Sequence, residues 1–324
     1  MLTTTVIGSR PKPDSLSSRN HDTSGWTVDR DWEFQPEELK AKQGEAIEWA
    51  ARQQEAIGVD VVSDEEQRCD NYVYYFCGGL DRFDFDNRAV VDKRSGAWSW
   101  NAPRITGSVA SAGVFLVDDF RFTQNLTDRQ IKVTIPGPMT IIDSVKNEYY
   151  RDESSLAMDL AAAFLKGASA LVEAGCQIIQ FDEPALARYP KKMIVYGIRA
   201  LEACFDGIVG VTTAVHICRG APVEGYAKAN IDNYTRIAPT LAIFKIDQVS
   251  IEGSGQPIEP QFMEAFGDKT IIFGLIDIGK PEVEIVSGIE SQIRRILEYV
   301  DPDRLALGPD CGMIFLILTR PKPN

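Results

Sequence analysis

The chain has only two histidines in 324 residues, which rules out an imidazole-rich site and makes each histidine worth attention. It also lacks positive charge: 34 Lys and Arg against 47 Asp and Glu leave a formal net charge of −13. That balance argues against nonspecific nucleic-acid partners and offers no attraction to an anionic membrane surface. No apolar run approaches the ~20 residues of a membrane span, and the first residues lack the basic start and apolar core of a signal peptide. The six cysteines, at 69, 77, 176, 204, 218 and 311, are too scattered for a secreted disulfide scaffold. Reduced thiols and a cytoplasmic chain are the expectation. No Gly-rich phosphate loop stands out.

What is present is an ordinary globular composition, 44% hydrophobic and 25% charged. This length suits one large barrel or two modest domains. Short apolar runs alternate with longer helical ones, as a parallel sheet with crossover helices requires. The pattern predicts strands over 4–7, 59–62, 132–135, 177–181, 208–215, 241–246, 270–274 and 305–308. Helices are predicted over 36–57, 154–174, 191–203, 226–237, 260–266 and 282–300. Within 154–174, Leu156, Leu160, Ala163, Phe164, Ala168 and Leu171 make the clearest helical stripe. Eight strands in this order predict an α/β fold, a (β/α)8 TIM barrel occupying 1–324 as a single domain. The aromatic and polar segment at about 70–125, with Tyr72, Tyr74, Tyr75, Phe76, Trp98 and Trp100, breaks the rhythm. It reads as an insertion after strand 2, placed at the barrel mouth as a lid, hairpin or interface.

Chemistry-bearing residues gather where those strands end, the face on which such a barrel carries its active site. Ile7-Gly8-Ser9 ends the first, Asp64-Glu65-Glu66 follows the second, and Asp182-Glu183-Pro184 closes the fourth. His216-Ile217-Cys218 closes the fifth, Ser250-Ile251-Glu252 follows the sixth, and Pro309-Asp310-Cys311-Gly312 the eighth. Residues two apart on a strand share a face, so His216 and Cys218 can present an imidazole and a thiolate to one metal, a pairing that suits zinc. Taken alone, His-x-Cys is more often a packed strand end, Asp182-Glu183-Pro184 serves equally as a helix start, and Asp64-Glu65-Glu66 as a solvated acidic turn. His21 and Cys69, Cys77, Cys176 and Cys204 receive no functional role. The sequence Arg-Pro-Lys-Pro occurs at both 10–13 and 320–323 with no physical account.

Together these stretches resemble the catalytic barrel of cobalamin-independent methionine synthases, in the short single-barrel form. The resemblance is carried by Thr3-Thr4-Thr5-Val6-Ile7-Gly8-Ser9, Gly58-Val59-Asp60-Val61-Val62, Gly137-Pro138-Met139-Thr140-Ile141, Gln180-Phe181-Asp182-Glu183-Pro184-Ala185, His216-Ile217-Cys218, Ile251-Glu252 and Pro309-Asp310-Cys311-Gly312, in the family's order. It implies a zinc-dependent methyltransferase acting on the thiol of homocysteine to form methionine. Zinc (Zn2+) falls to His216, Cys218, Glu252 and Cys311, where it would favour the substrate thiolate. Ile7, Gly8 and Ser9 correspond to the segment holding the amino acid's carboxylate, and Glu66 and Asp182 to the catalytic acids that bind its ammonium. Glu183 is expected to orient a neighbour or serve the methyl-donor side.

The departures are as specific as the matches. Long methionine synthases carry a second barrel, for which 324 residues leave no room. They also place a tryptophan after the Gly-Pro-x-Thr turn to stack on folate, where this chain has Ile141-Ile142-Asp143-Ser144. The donor is therefore either methyltetrahydrofolate or a methylcorrinoid on a partner protein. Short relatives usually carry glycine at the position of Glu65. After Cys311 the sequence predicts an absent or very short eighth helix. Other readings are a zinc-dependent alkyltransferase for another thiol such as coenzyme M, a catalytically impaired thiol-binding barrel, and a metal-free decarboxylase. A homo-oligomer is compatible with all of them.

Overall fold

Parallel strands cannot be joined by tight turns, so each helical crossover returns the chain to the same end of the sheet. The computed structural model describes residues 1–16, 34–93, 98–110, 115–220, 228–254, 258, 260–280, 282–314 and 316. Eleven strands occur among them: β1 (Thr3–Thr4), β2 (Val61–Val62), β3 (Phe83–Lys93), β4 (Trp98–Ile105), β5 (Gln130–Pro136), β6 (Lys146–Asn147), β7 (Ile178–Asp182), β8 (Thr212–Ile217), β9 (Gln248–Ile251), β10 (Thr270–Ile276) and β11 (Leu305–Pro309). Eight pair in the order β1-β11-β10-β9-β8-β7-β5-β2, every ladder parallel. A parallel bridge between Thr5 and Val61 joins the two outer strands and closes the ring. Beside it, Asp60 Oδ2 accepts from Thr4 N at 2.9 Å and Thr4 Oγ1 at 2.8 Å. The fold is a (β/α)8 barrel.

Strand alternation splits the side chains between the barrel interior and the helical layer. In β7, Gln180 and Asp182 turn inward, while Phe181 packs on Phe164 and Phe205 with ring centroids 5.8 and 4.9 Å away. Phe164 belongs to the helix Glu153–Glu173, which Asp152 caps by accepting from Ser155 N at 2.8 Å. That helix is long and apolar enough to cross a membrane. Its apolar stripe, including Leu156, Leu160, Phe164 and Leu171, is instead buried within the molecule.

Two strand positions differ from the sequence expectation. The apolar run 241–246 is not the sixth strand: its first residues end the helix Asp232–Ile243, where Leu241 is buried, and the strand β9 follows at Gln248–Ile251. A short apolar run has no period that separates a buried helix end from a strand. The fifth strand begins at Thr212 rather than 208, because Gly210 at φ 76° places a left-handed bend just before it. Among helices, 260–266 is a 3-10 segment, and the expected 191–203 helix contains a π turn at Met193–Gly197. The beginning of the expected 226–237 helix, His21 and the 320–323 repeat lie outside the described residues.

Between β2 and β5 the chain forms the helix Tyr72–Gly78, the antiparallel pair β3–β4 and the crossover helix Phe115–Gln124. β4 also pairs in parallel with β6, which follows the loop leaving the carboxyl end of β5. Leu160 is completely buried against the barrel, so Leu160→Ala is expected to cost about 2–5 kcal/mol, read as a lower urea midpoint with an unchanged m-value.

Candidate active site

The parallel register brings distant residues into one row. Asp182 lies opposite His216 on the neighbouring strand, and His216 opposite Ser250 on the next. His216 Nδ1 is 2.9 Å from Ser250 Oγ, leaving Nε2 turned toward Cys311 Sγ at 3.4 Å. Donor atoms of His216, Cys218 and Cys311 all lie within 4.8 Å of one another, with His216 and Cys218 buried. One imidazole and two sulfurs form a soft, borderline donor set that fits zinc and disfavours Mg or Ca. The serine contact fixes the imidazole's orientation, as an outer partner does for a metal-binding histidine. The hydrogen bond from Cys311 holds the Cys218 thiol well below its usual range despite burial, with His216 adding to the effect. The same bond pushes Cys311 upward, and burial reinforces it.

Glu252 stands next to this trio but outside its 4.8 Å group. Its Oε1 accepts from Arg219 N at 3.0 Å, and its Oε2 from Arg219 Nε at 3.1 Å and Lys228 Nζ at 3.0 Å. Of the four residues expected as ligands, three have their donor atoms brought together, while the Glu252 carboxylate is held by two cations. Asp310 ties the β11 loop to the β9 loop, accepting from Gly253 N at 2.8 Å and Ser254 N at 2.9 Å.

The acidic pair occupies the barrel interior beside the trio. Burial pushes Glu66 up to about 8, with the charge of Asp182 adding to it. Asp182 rises to about 6 through burial, which outweighs the opposing field of His216. Two buried carboxyls that repel one another create a place where a cationic group is favoured. Gln180 Nε2 links Asp182 to the segment after the first strand, donating to Asp182 Oδ1 at 2.7 Å and Ile7 O at 2.9 Å. Lys132 donates to Val6 O, and burial lowers its ammonium to about 7. A Cβ on Gly8 would press on Thr134 and Glu66, and one on Gly312, next to Cys311, would overlap the Ser9 hydroxyl. Ile7, Gly8, Ser9, Glu66, Asp182 and the metal-ready trio are thus brought to one end of the barrel.

Glu183 faces elsewhere. Its carboxylate accepts from Met139 N at 2.8 Å and Thr140 Oγ1 at 2.5 Å, securing the start of the helix Pro138–Ser144. A Cβ on Gly137 would overlap that carboxylate. Burial raises Glu183 to about 7 against these hydrogen bonds. Of the two expectations for Glu183, orienting a neighbour describes the observed contacts.

Sequence reasoning missed Ser250, Arg219, Lys228, Gln180 and Lys132. The legible signals were a lysine and a glutamine within otherwise apolar barrel strands, where an unpaired polar group would be costly. Ser250 needed the register.

A closed parallel barrel with a His/Cys cluster and paired acids at the strands' carboxyl ends defines a barrel enzyme with a metal-ready centre. Residues 1–319 match the model of the cobalamin-independent synthase catalytic domain. A methionine synthase of Saccharolobus solfataricus is 32% identical over 98% of this chain and 89% of its own length. One from Sulfolobus acidocaldarius is 29% identical over 98% and 87%. The solved structure of a B12-independent methionine synthase from Shewanella sp. W3-18-1, in complex with selenomethionine, superposes with a TM-score of 0.89. It is 30% identical, covering 98% of this chain and 93% of that one. The chain belongs to the cobalamin-independent synthase catalytic-domain family, and it is a methyltransferase.

Thr140→Val removes one donor from a buried carboxylate at nearly constant shape. It is expected to cost about 1.5–3 kcal/mol in urea denaturation, with Thr140→Ser retaining most of the stability.

Proposed function

We propose that the protein transfers a methyl group to the thiol of homocysteine, forming methionine, in a single barrel spanning the chain with the β3–β4 hairpin at its mouth. The observation that carries this reading is the row of paired acids and metal-ready donors: Asp182 lies opposite His216, and Glu66 shares its field. An α-amino acid thiol needs both sites at once. His216, Cys218 and Cys311 would hold zinc, with Glu252 the fourth donor once Arg219 or Lys228 yields an oxygen. Bound there, zinc supplies the Lewis acidity that makes a substrate thiol a thiolate near neutral pH. Glu66 and Asp182 neutralise the ammonium end through charge-assisted hydrogen bonds, and residues 7–9 receive the carboxylate. Gln180 and Lys132 keep those residues in place from within the barrel.

Homocysteine is favoured over a sulfonate thiol such as coenzyme M because the buried acids Glu66 and Asp182 suit an ammonium group and repel a sulfonate. The Shewanella relative, solved with selenomethionine, holds the selenium analogue of the proposed product. For the donor, Ile141 is buried and offers no aromatic platform, which supports a methylcorrinoid beside methyltetrahydrofolate. Six thiols and the acidic composition suit a cytoplasmic setting.

Methionine formation by zinc-loaded protein with homocysteine and either methyltetrahydrofolate or methylcobalamin tests the reaction and separates the donors. Inactivity with both counts against the reading. Cys311→Ser is expected to lower zinc affinity at least about tenfold, measured by chelator competition. Retention of wild-type affinity and activity would show that the site has been assigned wrongly.

A further inference from the structure

Glu65 and Glu66 are consecutive residues in left-handed backbone, at φ 50° and 55°. A side chain makes that conformation unfavourable, and glycine would relieve it. Short polar contacts shape the turn: Ser63 Oγ accepts from Glu65 N, and Asp64 Oδ1 from Glu66 N, each at 3.0 Å. Neither contact uses the Glu65 side chain. Yet that carboxyl is completely buried, a costly choice unless it is partnered for a purpose.

Its partner is Arg10, whose Nη1 lies 3.4 Å from Glu65 Oε2 while Glu65 Oε1 has no hydrogen-bond partner. The guanidinium is held over the Trp49 ring at 4.8 Å, so its approach is fixed from behind. Gln67 Nε2 adds a second tie, donating to Arg10 O at 3.4 Å and Glu65 O at 3.1 Å. Arg10 directly follows the 7–9 segment, and Glu65 directly precedes Glu66. The pair therefore joins the two loops that would grip opposite ends of an amino acid, and they already lie so close that a Cβ on Gly8 would stand 3.1 Å from Glu66 Oε1.

We propose that the Arg10–Glu65 pair is a positioning device that sets the distance between the carboxylate-binding 7–9 loop and Glu66, and so determines affinity for an α-amino-acid thiol. This rests on Glu66 being the ammonium partner. Neither Arg10 nor Glu65 touches the acceptor; both act through their neighbours.

Glu65→Gly separates positioning from folding, because glycine suits the left-handed turn while removing the pair. Steady-state kinetics should show the KM for homocysteine rising about tenfold with kcat within about twofold, the pattern of lost binding rather than lost chemistry. The melting temperature should not fall. Arg10→Met, which keeps the stem over Trp49, should raise KM similarly, Arg10→Lys should recover part of the affinity, and the double variant should be no worse than either single one. Unchanged KM in Glu65→Gly and Arg10→Met overturns the proposal. So does a rise in KM that tracks a fall in melting temperature or zinc content, which would mark a merely structural role. Glu66→Gln is the control: raised KM there with unchanged KM in Glu65→Gly refutes the positioning pair alone. Unchanged KM in Glu66→Gln overturns the acceptor reading and this proposal with it.

Discussion

The site depends on the parallel register of three adjacent strands. With β7, β8 and β9 aligned so that Asp182, His216 and Ser250 stand in one row, an acid, a metal-ready imidazole and the hydroxyl that orients it arrive together. A shift of one residue would turn each of these side chains to the opposite face of the sheet. Closure by the Thr5–Val61 bridge brings the first strand, and with it residues 7–9, to the same end. The outer helices enforce this arrangement by burying the alternate residues, as Phe164 does to Phe181.

Within that frame the barrel interior carries more buried acid than a packing core would tolerate. Burial raises both Glu66 and Asp182, and the charge of Asp182 adds to the rise at Glu66, while Lys132 and Gln180 spend their donors on the backbone carbonyls of Val6 and Ile7 and on Asp182. Lys12 and Lys132 answer that field only in part, so an arriving ammonium would relieve it further. Glu183, equally buried but fully occupied by Met139 and Thr140, shows the contrasting case of an acid used to build a loop. Adjacent carboxyls in one motif therefore have different work.

How far the sequence could be read differs by element. The stripe in Glu153–Glu173 was plain because a period of 3.6 persists over six turns. The run at 241–246 was misplaced because five apolar residues around Lys245 carry no decisive period, and the helix end and β9 lie side by side there. At the site, His216 and Cys218 were legible as a pair from their spacing at a strand end, whereas Cys311 was reached only through the family resemblance. The grip of Arg219 and Lys228 on Glu252 was not legible, because ion pairing across loops leaves no spacing signal.

By itself the sequence determined the eight-stranded barrel class and the strand ends that carry chemistry, which follow from periodicity and turn residues, both local; the set of candidate metal ligands was implied by the family resemblance. Only the tertiary structure decided which donors meet, which carboxylates are already satisfied, and that Arg10 reaches Glu65 across two loops. Those outcomes depend on register, burial and competition for partners, and such terms exist only once the chain has closed on itself.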